Sequence, residues 1–339
     1  MQVPESLLGA VGELIGPERA DAWAKALPFM FNELCDRWSL TPDPVPGSPW
    51  AGAESLVVPV LTKENYQAIV RFASPNSANP HVHAQVLEAL RAWNGRGAVR
   101  IIEEDSSFRA TLQERLVTAE NLSTVPLDQV PPIWGQLVRV LTVHGGRGFV
   151  RVQDIAQGWL NKFNSNVQAL ADYRSFRPED RQVIDQAHMW TTRLAQSQQS
   201  YLLHADLHYY NILAGHPDSN GISTWKAIDP QPLLGPVAYM VAPMLWNRLY
   251  EIPTPDPAQQ AKWLYDFAVS LCQHAGIDPQ FGLGASIARE VANMFWYLKS
   301  ARGGTQKAYG DADRSLWVAR ALAGMGSYGV NAHTLKKLG

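Results

Sequence analysis

The feature that most constrains the fold is a change of hydrophobic period along the chain. Leu7, Val11, Ile15 and then Trp23, Leu27, Met30, Phe31 and Leu34 recur three and four apart. That spacing predicts helix over 5–37, with a break at Gly16-Pro17. Pro42, Pro44, Pro46, Gly47 and Pro49 end the pattern. Two strand-like runs follow, Leu56-Val57-Val58-Pro59-Val60 and Ala68-Ile69-Val70-Arg71-Phe72, parted by polar Thr62-Lys63-Glu64-Asn65, and read as a hairpin. A helix over 83–93 places Val86, Ala89, Leu90 and Trp93 on one face, and Gly95 and Gly97 stop it. Val99-Arg100-Ile101-Ile102 and Thr111-Leu112-Gln113 read as two more strands. From residue 118 onward the pattern is helical, over 128–143, 152–172, 178–197, 239–250, 258–275, 284–301 and 311–325. One β island interrupts it: Tyr201-Leu202-Leu203, Asn211-Ile212-Leu213 and Trp225-Lys226-Ala227-Ile228, with a turn at Asp218-Ser219-Asn220-Gly221. The expected architecture is α+β and bilobal. A small N-terminal lobe of antiparallel sheet with helices occupies 1–117, its first 40 residues a helical extension, and a larger, mainly helical lobe occupies 118–339.

Composition narrows the function classes. At 46% hydrophobic the chain can offset its ordering entropy by burial, which excludes intrinsic disorder. The 29 Lys+Arg against 31 Asp+Glu, with no basic run, exclude a nucleic-acid binder that relies on bulk charge. Cys35 and Cys272 make neither a disulfide framework nor a C-x-x-C site. The uncharged stretch 230–247 holds Pro230, Pro232, Pro236 and Pro243 and falls short of the ~20 apolar residues of a membrane span. Met1-Gln2-Val3-Pro4-Glu5 lacks the basic start of a signal peptide. The expectation is a soluble, cytoplasmic protein without membrane or nucleic-acid partners.

The chemistry concentrates in the island. Its loop reads His204-Ala205-Asp206-Leu207-His208-Tyr209-Tyr210-Asn211, and the next strand ends Ala227-Ile228-Asp229-Pro230. Phosphoryl transfer needs a carboxylate to orient and deprotonate an attacking hydroxyl, and hard oxygen ligands for Mg²⁺ on the phosphates. Asp206 and Asn211, five apart on one loop, with Asp229 on the neighbouring strand, supply both. A transition-metal cluster of His204, Asp206, His208 and Asp229 is the rival reading, but it leaves Leu207 and Asn211 without a task. His81-Val82-His83 also looks metal-like and reads better as a solvated helix start.

These residues carry a resemblance. The chain resembles the aminoglycoside phosphotransferases, in the branch of streptomycin 6-kinases and hydroxyurea phosphotransferases. The matching pieces are Ser55–Val60, Ala89–Arg100, Glu114-Arg115-Leu116, Leu202–Leu213, Trp225–Pro230 and Leu245-Trp246-Asn247-Arg248. The resemblance implies a protein-kinase-like fold, with ATP or GTP and Mg²⁺ in the cleft between lobes and a small hydroxylated acceptor, an antibiotic. It makes Asp206 the catalytic base, Asn211 and Asp229 the Mg²⁺ ligands, and His204 the brace of the catalytic loop. Thr111 to Leu116, with Glu114 and Leu116, fall at the hinge that receives the purine.

Three positions depart from the family pattern. Arg71 stands where a lysine normally meets the α/β-phosphates, and a guanidinium forks where an ammonium does not. Glu88 is the one carboxylate on helix 83–93 that could pair with it, although Gln85 lies nearer the apolar stripe. Gly235-Pro236-Val237 replaces the usual Gly-Asp-Pro. Arg71 and Pro236 together raise a second hypothesis, a catalytically impaired nucleotide-binding protein with a binding or regulatory role. Retention of Asp206, Asn211 and Asp229 argues against it. Residues 1–117 carry 10 Lys+Arg against 14 Asp+Glu, a balance of −4, and residues 118–339 carry 19 against 17, a balance of +2. An acceptor lobe of that charge favours a substrate less cationic than a kanamycin-like compound, from a guanidino sugar to a neutral or nucleoside-type antibiotic.

Overall fold

The computed structural model describes residues 3–52, 54–75, 81–216, 224–303, 305 and 308–337. The elements, in chain order, begin with α1 (Glu5–Ile15), α2 (Pro17–Trp38), β1 (Thr41–Pro42), β2 (Trp50–Ala51), β3 (Ser55–Leu61) and β4 (Gln67–Ala73). Next come α3 (Val82–Trp93), β5 (Ile101–Asp105), β6 (Ala110–Glu114) and β7 (Val117–Asn121). The remainder holds α4 (Val130–Leu141), β8 (Val143–His144), α5 (Val152–Gln168), α6 (Arg181–Ala195), β9 (Tyr201–His204), β10 (Ile212–Ala214), β11 (Trp225–Ala227), β12 (Pro232–Gly235), α7 (Pro257–Ala275), α8 (Pro279–Arg302) and α9 (Ala308–Leu322). Contacts divide the chain into two compact units. The first is Met1–Ala119 with Ala214–Lys226, and the second is Glu120–Leu213 with Ala227–Gly339.

The first unit is built on an antiparallel sheet in the order β1-β3-β4-β6-β5, with β2 beside β3. The β3–β4 hairpin pairs Leu61 with Gln67 at its closed end and Val57 with Arg71 further along. Alternation along the strands sends Leu56, Val58 and Val60, then Val70 and Phe72, then Leu112 to one face. There they bury Val11 of α1 and Leu27 and Leu34 of α2, so the helical extension is the cover of this sheet. Gly16, at φ 91, supplies the break between the two helices. The opposite face carries Val57, Arg71, Thr111 and Gln113, because Arg71 pairs with both Val57 and Thr111. α3 ends on Asn94 in the left-handed conformation, followed by Gly95 and Gly97 at positive φ.

The second unit is mostly helical. α8 packs on α9, α6 and α7, while α4 lies on α7 and α5 on α6. Asp256 and Asp278 cap α7 and α8 through their carboxylates, each followed by proline at the first helical position. Gly284 is a point of close approach: a Cβ there would meet the Trp190 ring at 2.0 Å. A small antiparallel sheet, β8-β9-β12, pairs Pro232 with His204 and Gly235 with Tyr201.

Several sequence-based expectations need correction. Residues 239–250 form no α-helix. They fold as short 3₁₀ turns (Val237–Met240, Ala242–Met244, Leu249–Glu251), the second with Pro243 near its start and the third preceded by Arg248 in the left-handed region. α8 starts at Pro279 rather than 284, at its Asp278 cap. The strand expected at 99–102 runs from Ile101 to Asp105. β12 falls inside the uncharged stretch 230–247 and was not expected as a strand. His83 is buried rather than solvated, because α3 turns it inward with Leu87 and Leu90. The turn at 218–221 lies outside the described residues. Among the described residues, no helix is long and apolar enough to cross a membrane.

One buried group sets a pH dependence. Glu290 of α8 is fully buried, and burial pushes its carboxyl from 4.5 up to about 7 against the pull of Ser315, Arg289, Arg314 and Asn293. The folded chain therefore holds a proton that the unfolded chain has already released between those values. Stability is greatest below about 4.5, falls as pH rises to about 7, and the loss is complete above it. Glu290→Gln is expected to raise stability at pH 8, on the order of 2 kcal/mol, and to change it little at pH 4.5. Urea unfolding of both proteins at the two pH values checks this; an equal change at both would overturn it.

Candidate active site

The site grows from the end of β9. His204 is fully buried, and its Nε2–H donates to the carbonyl of Ile228 at 2.8 Å. Burial holds the imidazole below its ordinary pKa, against the pull of the Ile228 carbonyl and of Asp206 and Asp229, so it stays neutral. The next residue, Ala205, donates its amide to Gln231 O at 3.0 Å, which continues the β9–β12 pairing. Ile228 N in turn donates to Asn211 O at 2.9 Å.

The loop then folds on itself. His208 N donates to Asp206 O and Asn211 N to His208 O, both at 3.0 Å. The Asn211 side chain spans the turn: its Nδ2 donates to Asp206 O at 3.0 Å and lies 3.4 Å from Asp206 Oδ2. Asn211 Nδ2 is also 3.3 Å from His208 Nε2, which sits 3.6 Å from Asp206 Oδ2. Burial holds His208 below its ordinary pKa, against Asp206 and Asp229. A neutral ring with its proton on Nδ1 lets Nε2 accept from Asn211. With its amide nitrogen engaged, Asn211 has Oδ1 left as a hard acceptor. Asp229 is exposed, at φ 55 immediately before Pro230, a conformation L-residues adopt reluctantly. Its charge reaches both His204 and His208, as does that of Asp206, so the two carboxylates share one neighbourhood. Hard oxygens from one amide and one carboxylate are of the kind that would suit a hard divalent cation such as Mg²⁺.

Beneath the loop lies a brace that the sequence reading left without a role. Tyr209 is fully buried, and its hydroxyl donates to Met244 O at 3.3 Å. Arg248 stacks over the Tyr209 ring, 5.1 Å from its centroid, and forks onto Glu251 at 3.0 and 2.7 Å. Its third nitrogen donates to Val125 O at 2.8 Å. The Trp-Asn-Arg motif thus anchors the turn that carries Asn211. Pro236 stands where an aspartate was expected, and the loop is held instead by His204, Ala205 and Tyr209.

In the first unit, the Arg71 charge is felt by His83 and Arg109. Glu88 is exposed on α3, away from the inward residues His83, Leu87 and Leu90, so α3 turns His83 and not Glu88 inward. Glu114 accepts from Arg100 N at 2.7 Å and pairs with Lys226 at 2.6 Å, so its side chain is structural. The amides of Glu114 and Arg115 are engaged by Arg100 O and Gln67 O, whereas no hydrogen bond among the described residues uses the Leu116 amide. The Leu116 side chain is buried.

Comparison with known proteins now decides the family. A sequence profile described as aminoglycoside/hydroxyurea antibiotic resistance kinase matches residues 37–299. The chain belongs to that family. It is therefore a small-molecule kinase. A streptomycin 6-kinase of Streptomyces glaucescens is 30% identical over 327 residues, covering 96% of this chain and 98% of that one. A hydroxyurea phosphotransferase of Kitasatospora aureofaciens is 29% identical over 281 residues, covering 82% and 75%. Among solved structures, an amicoumacin kinase in complex with AMP-PNP and Ca²⁺ superposes with a TM-score of 0.52 at 13% identity, covering 94% and 98%. A choline kinase of Streptococcus pneumoniae superposes at 0.51 with 14% identity, covering 88% and 99%. The fold of this antibiotic resistance kinase is protein-kinase-like.

The brace generates a prediction. Arg248→Ala leaves the Val125 carbonyl and Glu251 without their partner and uncovers Tyr209. The expected cost is about 2–4 kcal/mol in urea unfolding. Arg248→Lys is expected to recover less than half of that, because an ammonium cannot fork. A loss below about 0.5 kcal/mol in the alanine variant would show the brace to be dispensable.

Proposed function

We propose that this kinase transfers the γ-phosphate of ATP or GTP to a hydroxyl of a small antibiotic, with Asp206 as base. The observation that carries this reading is the Asn211 clamp. It fixes Asp206 through both its carbonyl and its carboxylate, and leaves an oxygen on each side chain without a hydrogen bond among the described residues. The Asp206 carboxylate orients the acceptor hydroxyl and takes its proton as the new O–P bond forms. Asn211 Oδ1 and the Asp229 carboxylate would hold Mg²⁺, which when bound neutralises charge on the phosphate oxygens. His204 acts through Ile228, holding the base and metal-ligand segments in register. The purine takes its contact from the main chain at Leu116, since the amides of Glu114 and Arg115 are engaged. Arg71 meets the phosphates.

Features of the second unit support an acceptor that is not a polycation. A cavity of about 260 Å³ between α5, α6 and α8 is walled by Trp159, Phe163, Phe295 and Trp296, and its only charged lining residues are Lys162 and Lys299. Trp159 also stacks on Tyr239, just past β12, with centroids 6.4 Å apart. Arg289 lies over Tyr239 at 4.6 Å and over Trp246 at 5.3 Å. Cations in these places repel a tetra-amino ligand.

Asp206→Ala is expected to lower turnover by about 10²–10⁴-fold with little change in nucleotide affinity, as read by single-turnover transfer and nucleotide titration. Asp229→Ala is expected to weaken Mg²⁺-dependent nucleotide binding instead. Wild-type turnover in Asp206→Ala would remove the base from this scheme. In a screen of hydroxylated antibiotics with Mg·ATP and Mg·GTP, guanidino-sugar, neutral or nucleoside-type acceptors are expected to be phosphorylated and a tetra-amino aminoglycoside not. Tight binding and turnover of the tetra-amino compound would refute the acceptor class.

A further inference from the structure

The face of the first sheet that carries Arg71 gathers positive charge. On β4 and β6, Arg71 pairs with Thr111 across the strands. Arg109 precedes Thr111 by two residues, and its carbonyl accepts from Ala73 N at 3.0 Å. Arg109 lies in the turn just before β6, bonded to Ala73, and the Arg71 charge acts on it. Arg109 is held there by a turn in which it takes φ 50, reluctant for any side chain but glycine. The charges of both arginines reach His83, in the first turn of α3.

This arrangement is costly as it stands. The Arg109 Nε is buried and makes no hydrogen bond, and the nearby Glu54 forms no salt bridge with it among the described residues. Burial and the Arg71 charge both pull the Arg109 pKa down, with Glu54 opposing. His83 is 8% exposed, and its Nε2 is buried without a hydrogen bond. Burial first, then Arg109 and Arg71, lower its pKa to about 4. Two guanidiniums that repel each other and a buried imidazole nitrogen with no partner are stabilised together by one kind of ligand, an anion rich in acceptor oxygens.

We infer that Arg109 and His83 join Arg71 in a three-point cradle for the phosphate groups of the nucleotide. The inference rests on the kinase reading for the identity of the anion, and it assigns two residues that the family motifs do not.

The test is binding of Mg·ATP, inorganic tripolyphosphate and adenosine to wild type, Arg109→Gln and His83→Leu by calorimetry. The variants' thermal melts are recorded alongside. Arg109→Gln is expected to weaken ATP and tripolyphosphate about tenfold or more, while adenosine affinity changes less than twofold. Arg109→Lys is expected to recover part of the loss and His83→Leu to cost about threefold to tenfold. Wild-type affinity for tripolyphosphate in both Arg109→Gln and His83→Leu, or equal losses for adenosine, overturns the cradle. So does wild type that binds neither tripolyphosphate nor ATP. Phosphate transfer measured on the same proteins separates the two readings. Arg109-dependent tripolyphosphate binding without transfer to any acceptor sinks the kinase scheme and keeps the cradle. Transfer with an unchanged nucleotide KM in Arg109→Gln does the reverse.

Discussion

The arrangement depends on Ile228. Its carbonyl accepts the buried His204 imidazole at 2.8 Å, and its amide donates to Asn211 O at 2.9 Å. One residue is thus bonded to the segment that leads into Asp206 and to the residue that clamps Asp206, and it immediately precedes Asp229. A displacement at Ile228 would move all three oxygen-bearing groups at once. The neutrality of His204 matters to this. A charged imidazole at that depth would carry a desolvation cost of several kcal/mol, whereas a neutral one is a directional donor that the Ile228 carbonyl fully satisfies.

The same logic explains why the loop tolerates Pro236. An aspartate at that point would hold the loop by accepting hydrogen bonds from its amides. Here the Ala205 amide goes to Gln231 O, and those of His208 and Asn211 are satisfied within the turn. Tyr209 then anchors the turn from below through Met244 and Arg248. The uncharged stretch 230–247 is what makes this workable. Residues 238–245 are buried almost throughout, so a carboxylate at 236 would stand beside an apolar segment with few donors left to meet it.

How much of this was legible in the sequence follows from the range of the forces involved. The β3–β4 hairpin and the α1–α2 break were readable, because alternation, Gly16 and Pro17 are local signals. Asp206, Asn211 and Asp229 were readable as a group because their residue types and spacing match one chemistry. Residues 239–250 misled because their apolar content suits a helix, while Pro243 and the tertiary grip on Arg248 decide otherwise. β12 was hidden because its strand character comes only from pairing with β9. His83 was misread as solvated because two histidines around one valine look polar, and only the inward face of α3 shows which of them is buried. Arg109 carried no sequence signal, since its place is set by the left-handed turn before β6 and its bond to Ala73.

A polar loop embedded in an apolar lobe must engage nearly every donor and acceptor it brings, or lose stability for each one left over. In the loop from 204 to 211 the amides of Ala205, His208 and Asn211, the His204 Nε2 and the Asn211 nitrogen have partners, while His208 Nδ1 is buried without one. Among the described residues, Asp206 and Asn211 each keep a side-chain oxygen without a hydrogen bond. In the first unit the unmatched atoms are nitrogens, Arg109 Nε and His83 Nε2, both buried without a hydrogen bond among the described residues.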